Sequence, residues 1–260
     1  MANCGQSGIG ALDHQPASSH RSGMCGRYVS TMPPELMAAT LMAMVGAPTN
    51  AEPSWNVAPT QQAPVLRRNP EGQRQIDRLT WGLVPNWTKS LKEARRPINA
   101  RAETVATSGM FKGAFAKRRC LVPVDLFYEW VALQDGKQPY AITRADDQPL
   151  VFAGLWQSWK APDGAVLRTY AIVTTTANAE MSTLHDRMPV VLERGDWPAW
   201  LGEVEGDPAG LLKPAPDGTL RMWPVSRVVN SVRNNGPELI DRIDDHRAPP
   251  SDAPAGQNSV

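Results

Sequence analysis

Cysteine, histidine and any excess of one charge are all scarce in this 260-residue chain. The three cysteines, Cys4, Cys25 and Cys120, are too few and of the wrong parity for a disulfide framework. No CxxC or His/Cys cluster is present to hold a structural zinc. Lys plus Arg number 27 against 26 Asp plus Glu, a formal charge of +1. That balance excludes a globally basic nucleic-acid coat and an acidic tail protein, and leaves room only for a local patch. No apolar run approaches the roughly 18 residues of a membrane span, so a soluble protein is expected. Residues 1–23 are polar and rich in Gly and Ser, without the basic-then-apolar order of a signal peptide. The expected compartment is a reducing cytoplasm, with the nucleoid as the place of work if the partner is DNA.

What is present points to a packed domain. Hydrophobic residues make up 42% and charged residues 20%, which supports a core and excludes global disorder. Twenty glycines and 24 prolines disfavour a long-helix bundle and suit short strands joined by turns. Residues 1–23 read as a disordered extension and 244–260 as a disordered tail, leaving 24–243 as one domain without repeat or linker. Helices are predicted over 34–45, with Pro at the start and Gly46 at the end, and over 110–117, 177–184 and 196–201. Strands are predicted over 120–130, 139–143, 150–156 and 168–176. Strand and helix do not alternate regularly. The expected fold is therefore α+β: a mostly antiparallel, barrel-like single domain with short flanking helices.

Four residues stand out for their chemistry. His14, His20 and His246 fall in the presumed tails, so His185 is the one histidine of the ordered region. It sits in a loop, where site residues concentrate, although a satisfied structural role fits this segment equally. Cys25 follows Met24 directly. As an N-terminal residue it would carry an amine with pKa near ~7.7–8.0 beside a thiol near ~8.5, a pair able to condense with an aldehyde. As an internal residue it offers only its thiol, and an unreactive buried cysteine is the alternative. Cys120 lies in an apolar run and reads as structural. Glu129, in Leu126-Phe127-Tyr128-Glu129-Trp130, is a carboxylate among aromatics. Burial would raise its pKa toward general acid–base use, whereas strand alternation could equally turn it to solvent. Asn99 and Arg101, two apart in Asn99-Ala100-Arg101-Ala102-Glu103-Thr104, share one face of an extended chain. Arg27, Arg101 and Arg187 each neighbour a candidate, as a phosphate-bearing substrate would require. Trp87, if exposed, offers a stacking platform for a base; core packing is the alternative.

Taken in order, these segments resemble the SOS response-associated peptidase family, whose members process abasic sites in DNA. The matching pieces are Met24-Cys25-Gly26-Arg27-Tyr28, Trp55-Asn56-Val57-Ala58-Pro59-Thr60, Trp81-Gly82-Leu83-Val84-Pro85 and the segment from Asn99 to Thr104. They continue with Arg119-Cys120-Leu121-Val122-Pro123, Phe127-Tyr128-Glu129-Trp130, His185-Asp186-Arg187-Met188-Pro189, and Pro224-Val225-Ser226-Arg227 with Asn230. The resemblance implies a damage-response enzyme on single-stranded DNA. Cys25 would crosslink to the deoxyribose aldehyde as a thiazolidine, Asn99 would orient its amine, Glu129 would shuttle protons, and His185 would assist ring opening and reversal. Arg27, Arg101 and Arg187 would hold phosphates, with Asn56, Pro59 and Trp87 shaping the strand's path. It also implies lyase-type and autoproteolytic peptidase activity, a monomer, and no metal or nucleotide cofactor. A cysteine peptidase acting on protein substrates and a non-catalytic DNA reader are the alternatives. In the family the cysteine directly follows the initiator, so either Met24 is the true start, which is the expectation, or residues 1–24 are cut away.

Overall fold

The protein is described by a computed structural model over residues 26–46 and 52–244. The presumed extension 1–23, Cys25, and the presumed tail beyond Asp244 lie outside the described residues. Thirteen strands run along the described chain: β1 (Arg27–Ser30), β2 (Met44–Val45), β3 (Ser54–Val57), β4 (Gln62–Arg68), β5 (Arg74–Trp81), β6 (Asn99–Arg101) and β7 (Arg119–Val124) in the first half. The second half holds β8 (Leu126–Leu133), β9 (Gly136–Arg144), β10 (Leu150–Lys160), β11 (Val166–Thr176), β12 (Arg187–Pro189) and β13 (Leu220–Pro224). The helices are short: α1 (Pro34–Leu41), α2 (Lys112–Lys117), α3 (Ala179–Ser182) and α4 (Trp197–Leu201). No helix among the described residues is long and apolar enough to cross a membrane.

The strands form two sheets. In the larger, β11, β10, β7, β4 and β5 follow one another as antiparallel neighbours, and a short parallel pairing of β5 with β11 closes the ring into a barrel. The smaller sheet, in the order β13-β9-β8-β1-β3, covers one mouth of that barrel. Alternation along each strand explains the two large cores. Inward positions such as Val65, Leu79, Val122, Phe152 and Ile172 pack against Tyr28, Phe127 and Ile142 of the covering sheet. Outward positions such as Leu66, Ile76, Leu121, Val151 and Val173 are covered by Met37 and Leu41 of α1, Phe115 of α2 and Trp200 of α4. The mostly antiparallel, barrel-like α+β architecture expected from the breakers and short strands is the one observed.

Two expectations about elements are corrected. The helix from Pro34 ends at Leu41 rather than Val45, because Met42 adopts a left-handed backbone (φ 51°) and its N–H turns back to the Ala38 and Ala39 carbonyls. Met44–Val45 is then free to add to β5 as a parallel strand. The apolar run 120–130 is two strands, not one. Asp125 breaks it: its carboxylate accepts the Thr31 N–H at 2.6 Å and hydroxyl at 2.7 Å, while its own N–H reaches Val29 O at 3.0 Å. The chain therefore leaves the barrel as β7 and enters the covering sheet as β8. The helices predicted over 110–117, 177–184 and 196–201 are present in shorter form, since helical pairing starts only where a turn can be closed.

Gly154, at the centre of β10, lies between Cys120 of β7 and Ile172 of β11. A Cβ there would stand 2.8 Å from Cys120 Sγ and 2.9 Å from Val122 Cγ2, inside a core with no slack. Gly154→Ala is expected to cost about 1–3 kcal/mol, seen as a lower urea midpoint with an unchanged slope. An unshifted midpoint would mean that the barrel interior yields at this point.

Candidate active site

The described candidate residues are carried by the covering sheet, by the barrel-edge strands β6 and β12, and by the loops beside them. On β8, Phe127 faces the barrel, its ring 5.5 Å edge-on from Phe152, and Glu129 follows on the same face by alternation. Tyr128 and Trp130 turn to the other face, with Val229 and Trp55. Glu129 is 1% exposed and stands opposite Tyr140 of β9; one carboxylate oxygen accepts the Trp130 N–H at 3.3 Å. The alternative that strand alternation turns it to solvent is thus excluded. A buried carboxylate needs polar company to persist, and Glu129 stands in the middle of β8 between two aromatic residues, Tyr128 and Trp130. Beside it, β1 pairs with β8 from Arg27 opposite Tyr128 onward. Arg27, where this ladder begins, thus lies opposite the residue before Glu129.

A second group is carried by β6 and by β12 with the loop before it, the two strands that flank β11. Asn99 lies opposite Ile172 and Arg101 opposite Thr174 in a short parallel pairing, so both project on the side of Tyr170 and Ile172. Arg101 is exposed. Arg187 grips Glu103 with both guanidinium nitrogens, at 2.5 and 2.9 Å, and donates to Thr174 O at 2.7 Å. This grip holds the Glu103 carboxyl below the usual carboxylate range. It also ties the Asn99–Arg101 strand to the loop carrying His185. The half-buried His185 accepts the Arg187 N–H on Nδ1 at 3.0 Å, and the same nitrogen lies 3.0 Å from an Asp186 oxygen. The two contacts exclude one another: a bare Nδ1 accepts from the backbone, and a protonated one turns to Asp186.

Arg27 and Asn56 occupy the opposite face of the covering sheet from Glu129. Arg27 donates to Asn56 Oδ1 (2.9 Å) and to the carbonyls of Val229 (3.1 Å) and Asn230 (3.2 Å). Asn56, 2% exposed, spends its amide on the carbonyls of Val229, Ser231 and Asn234. Trp130 joins them through an Nε1 bond to Asn230 Oδ1 at 2.7 Å, with the Arg27 guanidinium 5.9 Å from its ring. Burial lowers the Arg27 pKa, but an arginine stays charged at any working pH. These two residues therefore shape the surface through the loop they anchor. Pro59 is half-buried. Trp87 is 65% exposed and lines a cavity of about 380 Å³ together with Lys89 and Arg95. Sequence reasoning gave no role to Glu103, the partner of Arg187, or to Asn234; nothing in their local sequence points 84 residues ahead or back to Asn56. Among the described residues, no group of three or more His, Cys, Asp or Glu is placed to hold a metal.

The family described as SOS response associated peptidase (SRAP) matches residues 24–232. The chain belongs to that family. Among SRAP relatives, the abasic site processing protein YoqW of Bacillus subtilis is 39% identical over 193 residues, covering 73% of this chain and 86% of its own. YedK of Escherichia coli is 33% identical, covering 85% of this chain and all of its own, and HMCES of Xenopus tropicalis is 31% identical, covering 85% and 78%. Both carry the same descriptive name, abasic site processing protein. A solved protein of Bacteroides thetaiotaomicron superposes with a TM-score of 0.75 over 84% of this chain and all of its own, at 23% identity, which shows the fold. One from Bordetella bronchiseptica, at 28% identity, gives 0.69 over 78% of this chain and all of its own. The motifs that carried the sequence-level resemblance are thus those of a shown SRAP domain.

The Glu103–Arg187 pair predicts a pH signature. Because the folded pKa of Glu103 is depressed, its stabilising contribution is complete above the unfolded value of ~4.3 and is lost as pH falls through the lower folded one. Glu103→Gln should therefore lower the melting temperature slightly at pH 7, and wild type and variant should converge toward pH 3. A gap that persists unchanged at pH 3 would place the pair's contribution elsewhere.

Proposed function

We propose that this SRAP protein captures abasic sites in single-stranded DNA by covalent attachment at Cys25. The observation that supports it most is the pairing of β1, the first described strand, with β8: Arg27 lies opposite Tyr128, the residue before Glu129, a carboxylate buried on the inner face of the covering sheet. The relatives named as abasic site processing proteins supply the substrate class. The chemistry needs a free α-amine on Cys25. Initiation at Met24 with removal of that Met, or self-cleavage of the Met24–Cys25 bond with uptake of one water, provides it.

The steps then follow from ordinary amine and thiol chemistry. The Cys25 amine adds to the C1′ aldehyde of the ring-opened deoxyribose, and loss of water gives an imine. The Cys25 thiol gives up its proton and its sulfur adds to the imine carbon, closing a five-membered thiazolidine; one water is the net product. Glu129 delivers the proton to the departing hydroxyl and accepts that of the thiol in turn. Asn99 orients the amine. His185, able to exchange its backbone acceptor for Asp186, assists ring opening and reopening of the crosslink. Before ring closure the imine acidifies the C2′ hydrogen, and loss of that proton with departure of the 3′ phosphate is the lyase-type branch. Arg101 and Arg187 hold flanking phosphates by charge-assisted hydrogen bonds, and exposed Trp87, with Lys89 and Arg95 on its cavity, offers the strand a stacking face.

The test is a time course of denaturation-resistant adduct with abasic single-stranded DNA, preceded by the intact mass of the mature protein. The active form should begin at Cys25. Cys25→Ala should form no adduct yet keep salt-sensitive binding, and Cys25→Ser should give one that survives only after borohydride reduction. Glu129→Gln should slow formation by about 10²–10⁴-fold, whereas His185→Ala should slow release from preformed adduct more than formation on an open-chain aldehyde. Wild-type crosslinking by Cys25→Ala would overturn the proposal. Turnover of peptides without DNA would favour a general peptidase, and binding without any adduct a reader.

A further inference from the structure

The barrel has a second mouth, and it is strongly cationic. Inward positions near the covered mouth are Val124, Leu150 and Phe152; at the other end of the same strands come Cys120, Arg67 and Trp156. There a cavity of about 380 Å³ is lined by Arg67, Arg68, Lys117, Arg119, Trp156 and Gly72, with no carboxylate on its wall. None of the residues proposed for abasic-site capture lies on it.

The cations are held in place with little neutralisation. Arg67 is paired with Asp77 at 2.6 Å, both buried, and its guanidinium stacks 4.8 Å from the centre of the Trp156 ring. Its Nε, buried and with only 7% of the side chain exposed, has no hydrogen-bond partner. Arg68 is pinned by backbone oxygens, Gly72 O at 3.0 Å and Gly202 O at 2.7 Å. Arg119 is likewise held by Phe115 O at 2.7 Å and by Trp200 O. Among the described residues, neither Arg68, Lys117 nor Arg119 has an ion-pair partner. The neighbouring acid Glu203 is taken by Arg74, at 2.8 and 2.7 Å.

Two glycines make room for this arrangement. Gly72 (φ 84°) and Gly202 (φ 73°) are left-handed, and a Cβ on them would stand 2.8 Å from an Arg68 nitrogen and 2.9 Å from an Arg119 nitrogen. Guanidinium groups fixed by carbonyls and left without counter-charge are preorganised for an anion, because little side-chain freedom is lost on binding. A buried donor left over on Arg67 is the kind of group a ligand satisfies.

We propose that this far mouth of the barrel binds a phosphate ester, with Arg68, Lys117 and Arg119 gripping the phosphate and the Trp156–Arg67 stack flooring the site. The phosphate belongs either to a free nucleotide or to a DNA backbone; the chemistry recognised is the same. The site is independent of the crosslinking reaction. The test uses the full chain and ¹H–¹⁵N NMR, following the Gly72 amide and the Trp156 indole during titration with inorganic phosphate, dAMP and the oligonucleotide dT8. Saturable shifts at both positions are expected. Shifts with dAMP or phosphate assign a free phosphate ester, and shifts with dT8 alone assign the DNA backbone. Lys117→Glu, exposed at the end of α2, and Arg68→Ala should each weaken binding by about tenfold while leaving crosslinking to abasic DNA intact. Absence of shifts at Gly72 and Trp156 with all three probes at about 10 mM would overturn the proposal. So would shifts that survive Lys117→Glu and vanish in Arg101→Ala.

Discussion

The contact between Tyr28 of the covering sheet and Trp81 and Tyr170 of the barrel is what the rest of the structure hangs on. The two tyrosine hydroxyls share a buried hydrogen bond, the Tyr28 ring lies 5.1 Å from Trp81, and Trp81 stacks on Tyr170 at 6.2 Å. Trp81 and Tyr170 are also the residues through which β5 meets β11, so the same cluster closes the barrel and seats its cover. The Trp81 indole donates to Ile98 O, and Ile172 N–H reaches that same carbonyl, which fixes the approach to Asn99. Tyr28 is three residues from Cys25 in sequence. Whatever locks Tyr28 therefore also fixes β1 against β8, where Tyr28 lies opposite Phe127.

That geometry puts Glu129 and Arg27 on opposite faces of one sheet. Glu129 is on the dry inner face of the covering sheet, one residue beyond the ladder that pairs β8 with β1. Arg27 is turned by alternation to the other face, where it and Asn56 anchor the loop from Val229 to Asn234. Its neighbour Tyr28 faces the barrel, on the side that carries Phe127 and Glu129, so one strand serves both faces. Bringing Arg27 beside Glu129 would satisfy the carboxylate as an ion pair and hold its proton off, which would oppose the acid–base role proposed for it above.

How much of this was legible follows from the kind of information each feature needs. The barrel could be read from short strands and abundant breakers, and the motif residues from their order. Faces and partners could not. The run 120–130 looks like one strand because apolarity is continuous across Asp125; only the Thr31 contacts, 94 residues away, show that it changes sheet there. Strands β4 and β5 were not predicted because Arg67, Arg74, Asp77 and Arg78 make them look polar. Arg67 and Asp77 cancel each other inside the barrel, a pairing across ten residues of a hairpin that no periodicity reveals. Likewise nothing in the sequence around Arg187 shows that Glu103, 84 residues before it, is held against it.

The net charge of +1 conceals an uneven distribution, and its unevenness bears on affinity. Around the covering sheet the cations are partly spent: Arg187 on Glu103, and Arg27, on the outer face, on carbonyls and Asn56. At the far mouth three cations stand without a carboxylate. A strand held only by the covered mouth would gain a modest electrostatic contribution, weakly dependent on salt, since each phosphate neutralised adds about 0.7 to the slope for single strands. For the covalent capture proposed above this would be sufficient: a closed thiazolidine would hold the strand without phosphate contacts, and a strongly basic groove would retain undamaged strands that offer no aldehyde. On that proposal selectivity comes from chemistry that only a lesion can complete, and near-neutral overall charge is the physical condition that lets that chemistry decide.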